Sequence, residues 1–166
     1  MKSAIKLISA AALLLTVSAC GDDDPVGPPV TADVHSVTFT FSADDADING
    51  SVASVQFDVP SITPSVVDGG AVLVYFREQG TWTAMPYTFA QDSPDLPAVD
   101  YTVTLGYGYD DEFLELFYEA STEEVDLRLQ PDRVVKAVIV DGYVLSKSGV
   151  DLTDYEAVKR YFGLND

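Results

Sequence analysis

Residues 43 to 50 read ADDADING. Asp45, Asp47 and Asn49 stand at alternate positions ahead of Gly50, the spacing with which a calcium loop offers its first oxygens before a sharp glycine turn. Counted from Asp45, Val52 fits the apolar eighth position of such a loop, but its twelfth position falls on Gln56. That position calls for a bidentate glutamate, and a neutral amide cannot supply the anchoring carboxylate. No helical pattern flanks the segment, and Asn49-Gly50 is a strong hairpin signal between two strand-like runs. Asp and Asn favour such turns because their side chains bond nearby backbone. The acids are therefore read as turn residues, with an irregular calcium site on Asp45, Asp47 and Asn49 as the alternative.

Other reactive groups are few. His35 is the single histidine and stands at the start of a strand, so a Ser-His-Asp triad has little to build on. One histidine and one cysteine, Cys20, exclude a His/Cys zinc site by count. Asp110, Asp111 and Glu112 cluster at an expected hairpin tip and read as a solvated turn. No catalytic residue is nominated, no cofactor is expected beyond that calcium alternative, and a non-enzymatic protein is expected. Tyr101, Tyr107 and Tyr109 share a strand face with Val103 and Leu105. Buried, that row is core; facing water, it would stack sugar rings or pack on a partner protein.

Cys20 carries chemistry of another kind. Lys2 and Lys6 precede an apolar run, Leu7 to Val17, that is too short for the about 20 residues of a membrane-spanning helix. The run ends Val17-Ser18-Ala19-Cys20. This resembles the lipobox of bacterial lipoproteins, which implies cleavage before Cys20 and lipidation of its thiol. As the sole cysteine it has no intramolecular disulfide partner. Two or three acyl chains make such anchoring stable. Gly21 is followed by Asp22, Asp23 and Asp24. These resemble the acidic signal with which some Gram-negative bacteria export lipoproteins to the cell surface, and glycine rather than aspartate after the cysteine argues against inner-membrane retention. The expected address is the outer membrane, lipid-anchored, on the cell surface.

The net charge of −18 becomes −20 once residues 1 to 19 leave with Lys2 and Lys6 and no acid. A chain this acidic repels nucleic acid and anionic headgroups, so the membrane contact is expected through the lipid alone. The remaining partners are another envelope protein or a glycan.

Three regions follow: a signal peptide over 1–19, a lipidated, proline-rich acidic tether over 20–33, and one folded domain over 34–166. The domain reads in period two. Val37, Phe39 and Phe41 alternate with Thr38 and Thr40, and Val55, Phe57 and Val59 with Gln56 and Asp58. Thr63-Pro64 starts a short helical turn with Gly69 as its left-handed exit. AVLVYFRE, 71 to 78, is apolar at nearly every position, as a strand covered on both faces would be. TWTAMPYTF, DYTVTLGYGY, EFLELFYEA and RVVKAVIV read as further strands, with turns at Gln79-Gly80 and Asp110-Asp111. The expected fold is all-β, an antiparallel β-sandwich of about seven strands, immunoglobulin-like or jelly-roll-like. A capping box, Thr153-Asp154-Tyr155-Glu156, opens a short C-terminal helix that Gly163 ends, expected to dock over one end or edge of the sandwich.

The stretches VVDGGAVLVYF, TWTAMPYTF, RVVKAVIV and DYEAVKRYFGL resemble a loose group of small Gram-negative lipoproteins without an assigned activity. Some of these carry a collagen-like stretch after the cysteine, which Gly27-Pro28-Pro29 resembles. That resemblance implies an address and a fold and no chemistry. The tail GVDLTDYEAVKRYF is similar to the rear half of a dockerin repeat, but the ligand positions fall on Tyr143, Leu145 and Lys147. None of these is a carboxylate, so neither calcium nor cohesin binding is expected there.

Overall fold

A computed structural model of the chain describes residues 34–92 and 100–165. The expected signal peptide and tether, with Cys20 and the acids Asp22, Asp23 and Asp24, lie outside the described residues. Within them nine strands form two antiparallel sheets. In chain order these are β1 (Val34–Phe41), β2 (Asp47–Asn49), β3 (Val52–Asp58), β4 (Ala71–Glu78), β5 (Thr81–Ala84), β6 (Tyr87–Asp92), β7 (Asp100–Asp110), β8 (Phe113–Ala120) and β9 (Arg133–Val140). One sheet has the order β1-β9-β4-β5, the other β2-β3-β8-β7-β6. The expected all-β sandwich is the observed class, with two strands more than anticipated.

The inward faces carry the period-two residues. Phe41 from β1, Ala53 from β3, Val103 and Leu105 from β7, Leu116 and Tyr118 from β8 and Val135 from β9 are all essentially buried in one core. Each large side chain so enclosed contributes about 1.5–3 kcal/mol relative to exposure. The run read as one strand, TWTAMPYTF, is instead β5 and β6 in different sheets. The Met85 N–H still donates to Val74 O at 2.9 Å, but Pro86 has no N–H to continue that ladder, and the chain leaves for the second sheet.

A third layer covers the outer face of the four-stranded sheet. Here the C-terminal segment supplies α2 (Gly142–Leu145) and α3 (Tyr155–Phe162), whose Val144, Tyr155, Val158 and Phe162 bury against Tyr75, Val138 and Val140. The helix therefore lies on a sheet face rather than at an end or edge of the sandwich. This explains the strands without alternation: β4 turns Val72, Val74 and Phe76 to the inner core and Leu73 and Tyr75 to the tail. The α3 cap is Asp154, one residue later than the expected Thr153, and its carboxylate accepts from Ala157 N–H at 3.1 Å. Gly163 closes the helix in the left-handed region, φ +65°.

The short helix α1 (Pro64–Gly69) starts at Thr63-Pro64, but Gly69 is no left-handed exit; the helix closes on Gly70, which is extended at φ −95°. Glycine is needed nearby for space instead. A Cβ on Gly142 would sit 2.1 Å from Gly69 O, and one on Gly70 would sit 2.5 Å from Val140 O. These two backbone contacts seat the start of the tail against α1.

Candidate functional site

The acidic stretch of the opening is a hairpin. β2 pairs with β3, Asn49 opposite Val52, around a turn in which Gly50 has φ +59°. Asp45 ends a 3₁₀ turn over Ala43–Asp45, and Asp45, Asp47 and Asn49 are all exposed. Among the described residues no three histidine, cysteine or carboxylate side chains come together to hold a metal ion. Replacing Asp45 and Asp47 together by Asn should leave stability within about 0.5 kcal/mol, because Asn makes the same local bonds in an exposed turn. Thermal melts with millimolar calcium and with EDTA check this. A calcium-dependent rise in Tm that vanishes in the double mutant would instead establish a metal loop.

The other sequence candidates also resolve into structural roles. Asp110 and Phe113 pair across the β7–β8 turn, the Asp111 N–H donates to Asp110 Oδ1 at 2.8 Å, and Glu112 takes φ +65°. His35 is exposed on β1, opposite Ile139. Tyr101 is buried, and Tyr107 and Tyr109 are half-buried against the sandwich core. The Tyr107 hydroxyl donates to Val72 O at 3.1 Å. The tyrosine row therefore packs mainly into the interior, Tyr101 fully and Tyr107 and Tyr109 in part.

A different group of residues assembles on the outer face of the four-stranded sheet. β9 alternation places Lys136 outward between the inward Val135 and Ala137, under the tail. The Lys136 Nζ donates to Tyr155 Oη at 2.8 Å and lies 4.9 Å from the Trp82 ring centroid and 5.1 Å from that of Tyr155. Trp82 on β5 is only partly buried, packs 5.4 Å from Tyr155, and has the Arg77 guanidinium 5.9 Å from its ring. Arg77 and Trp82 are directly paired across β4 and β5. Behind them the Tyr75 hydroxyl donates to Leu152 O at 2.6 Å, which ties β4 to the turn before α3. In that turn Asp151 accepts from the Thr153 hydroxyl and N–H, at 2.7 and 2.9 Å. Those bonds hold its carboxyl below the usual carboxylate range.

Two recesses flank Trp82. One, of about 440 Å³, is lined by Thr38, Arg77, Trp82, Lys136, Glu156 and Lys159. The other, of about 430 Å³, runs from Trp82 to Thr153, Asp154 and Tyr155 at the start of α3. The groups gathered here are cations, the carboxylates of Asp154 and Glu156, an indole and hydroxyl groups, all able to contact a small ligand. Sequence reasoning did not single out this cluster. Its one local signal is a lone lysine inside the apolar run RVVKAVIV. No protein-family model matches the chain, and no curated protein or solved structure is significantly similar to it.

Proposed function

We propose that this chain is a non-enzymatic envelope lipoprotein, anchored in the outer membrane through lipid on Cys20 and presenting its sandwich domain at the cell surface as an interaction module. The anchor rests on the sequence Val17-Ser18-Ala19-Cys20, with Asp22, Asp23 and Asp24 supporting export to the outer face. Among the described residues no helix is long and apolar enough to cross a membrane.

The observation that carries the module reading is the Lys136–Trp82–Tyr155 cluster at the wall of an open recess. A cation fixed between two rings is a rigid recognition feature. Packing of Tyr101, and in part of Tyr107 and Tyr109, against the core supports the interaction-module reading over a sugar platform on that row. The carbohydrate alternative retains one support, the partly exposed Trp82. Calcium binding draws on nothing beyond the exposed hairpin acids.

The anchor is tested at Cys20. Metabolic labelling with a fatty-acid analogue should label the wild type and leave Cys20→Ser unlabelled, with the mutant either uncleaved or released in soluble form. Equal labelling of the two chains would remove the lipoprotein reading.

A further inference from the structure

We infer that the recess beside Trp82 binds a saccharide carrying a single carboxylate, its acid group held by Lys136 and Arg77 and its ring set against the indole. Lys136 is the observation that points to a ligand. The side chain is 5% exposed, yet it lines the recess. Its ammonium has three N–H donors, and one of them reaches Tyr155 Oη. Among the described residues Lys136 forms no ion pair. A buried cation without a counter-ion is costly, and two ring faces offset only part of that cost. An anion entering the recess would supply the counter-charge that Lys136 does not find among the described residues.

The charge distribution selects the kind of anion. Beyond Lys2 and Lys6 the chain has seven basic side chains, and three of them, Arg77, Lys136 and Lys159, line this one recess of a protein whose net charge is −18. A single carboxylate placed there meets mainly cations. A polyanion would extend past the screening length of about 8 Å into an acidic surface and be repelled.

The rim selects the scaffold that carries the carboxylate. Trp82 offers part of its indole as an apolar wall, and Thr38 and Glu156 stand at the edge as partners for hydroxyl groups. The Glu156 oxygens accept from hydroxyl groups, of which a saccharide acid offers several and an acidic peptide side chain none. The volume of about 440 Å³ lies within the range of about 300–1,000 Å³ usual for small-ligand sites.

This assignment rests on the reading of the domain as a binding module, but the two are tested apart. Lipidation is decided by the label on Cys20, and this site by the fluorescence of Trp82, the only tryptophan in the chain. The purified lipidated protein in detergent is titrated with sodium glucuronate, glucose, acetyl-glutamate amide and polygalacturonate at matched ionic strength. Glucuronate should give a saturable change with a Kd on the order of millimolar, and each of the other three should bind at least about tenfold more weakly. Lys136→Met keeps the aliphatic stem and removes the charge. It should bring glucuronate to within about threefold of glucose, the margin that Arg77 retains. Arg77→Gln, at an exposed position, should weaken glucuronate about threefold and leave glucose unchanged. It decides the matter if circular dichroism shows Lys136→Met unfolded. A flat wild-type titration, equal binding of glucose and glucuronate, or tighter binding of the glutamate amide or of polygalacturonate would overturn the assignment.

Discussion

Tyr155→Ala should cost about 3–5 kcal/mol of stability, the range for deleting a buried aromatic ring. Tyr155 is 2% exposed, and its ring meets Tyr75 at 5.2 Å and Trp82 at 5.4 Å. It is also the link between α3 and the sheet, because its hydroxyl is the acceptor for Lys136 Nζ. Truncation removes the ring surface and leaves a buried cation without that bond. The total stability of a domain this size is about 5–15 kcal/mol, so the loss is a large fraction of the whole. Tyr155→Phe separates the two contributions: the rings stay packed, and only the bond to Lys136 is lost, for about 1–3 kcal/mol. Urea denaturation measures both. A Tyr155→Ala midpoint close to that of wild type at unchanged m-value would mean that the tail is no part of the cooperative unit.

Stability should hold level from neutral pH to about 9 and collapse above about 10. Three tyrosine hydroxyls drive this. Tyr75, Tyr107 and Tyr118 donate to the carbonyls of Leu152, Val72 and Pro131 at 2.6, 3.1 and 2.8 Å. A tyrosinate cannot donate, and its charge would face the carbonyl oxygen it once bonded. Burial is the main cause that raises all three above the ordinary tyrosine value of about 10. For Tyr75 the neighbouring Tyr107, Tyr155, Asp151 and Asp154 add to it, and for Tyr107 the neighbour is Tyr109. For Tyr118 the guanidinium of Arg133 offsets part of the rise, while Asp132 adds a little.

The sign follows from the raised folded values. The unfolded chain releases these protons near pH 10 while the native protein keeps them. Their contribution is therefore complete below about 10 and is lost as pH climbs from there through the folded values. Each tyrosine can remove up to about 1.4 kcal/mol per pH unit in that window. Absorbance at 295 nm should show part of the tyrosine titration delayed and coincident with loss of the β-sheet circular dichroism signal. Reversible ionisation of all nine tyrosines near pH 10 with the sheet signal intact would contradict the assigned hydrogen bonds.

Much of the domain was legible residue by residue. The alternation in Val37, Phe39 and Phe41 requires one apolar face, and those side chains do face the core. Gln79-Gly80 and Asp110-Asp111 mark hairpins because so few residues tolerate those turns, and both turns are present. Gly163 marks a helix end for the same reason. The Cys20 expectation is also local, since processing of such a segment reads a short linear stretch. Such signals act over a few bonds, so the chain carries them without reference to its fold.

What lay beyond the sequence depends on partners far along the chain. Period two in DYTVTLGYGY says that Tyr101, Tyr107 and Tyr109 share a face; whether that face meets water is decided by the sheet stacked on it. The apolar run of β4 announces cover on both sides, but not that residues 144 to 162 provide one of them. Strand-like composition on both sides of Pro86 hides the crossing of TWTAMPYTF between sheets, because hydropathy is blind to the hydrogen-bond ladder that Pro86 cannot extend. The recess is the extreme case. Trp82, Lys136 and Tyr155 are each ordinary in their own segments, and they form a cluster only where burial of the tail brings the three together. The free energy that does this is the non-directional gain from covering Tyr75, Val138 and Val140, which no local pattern encodes.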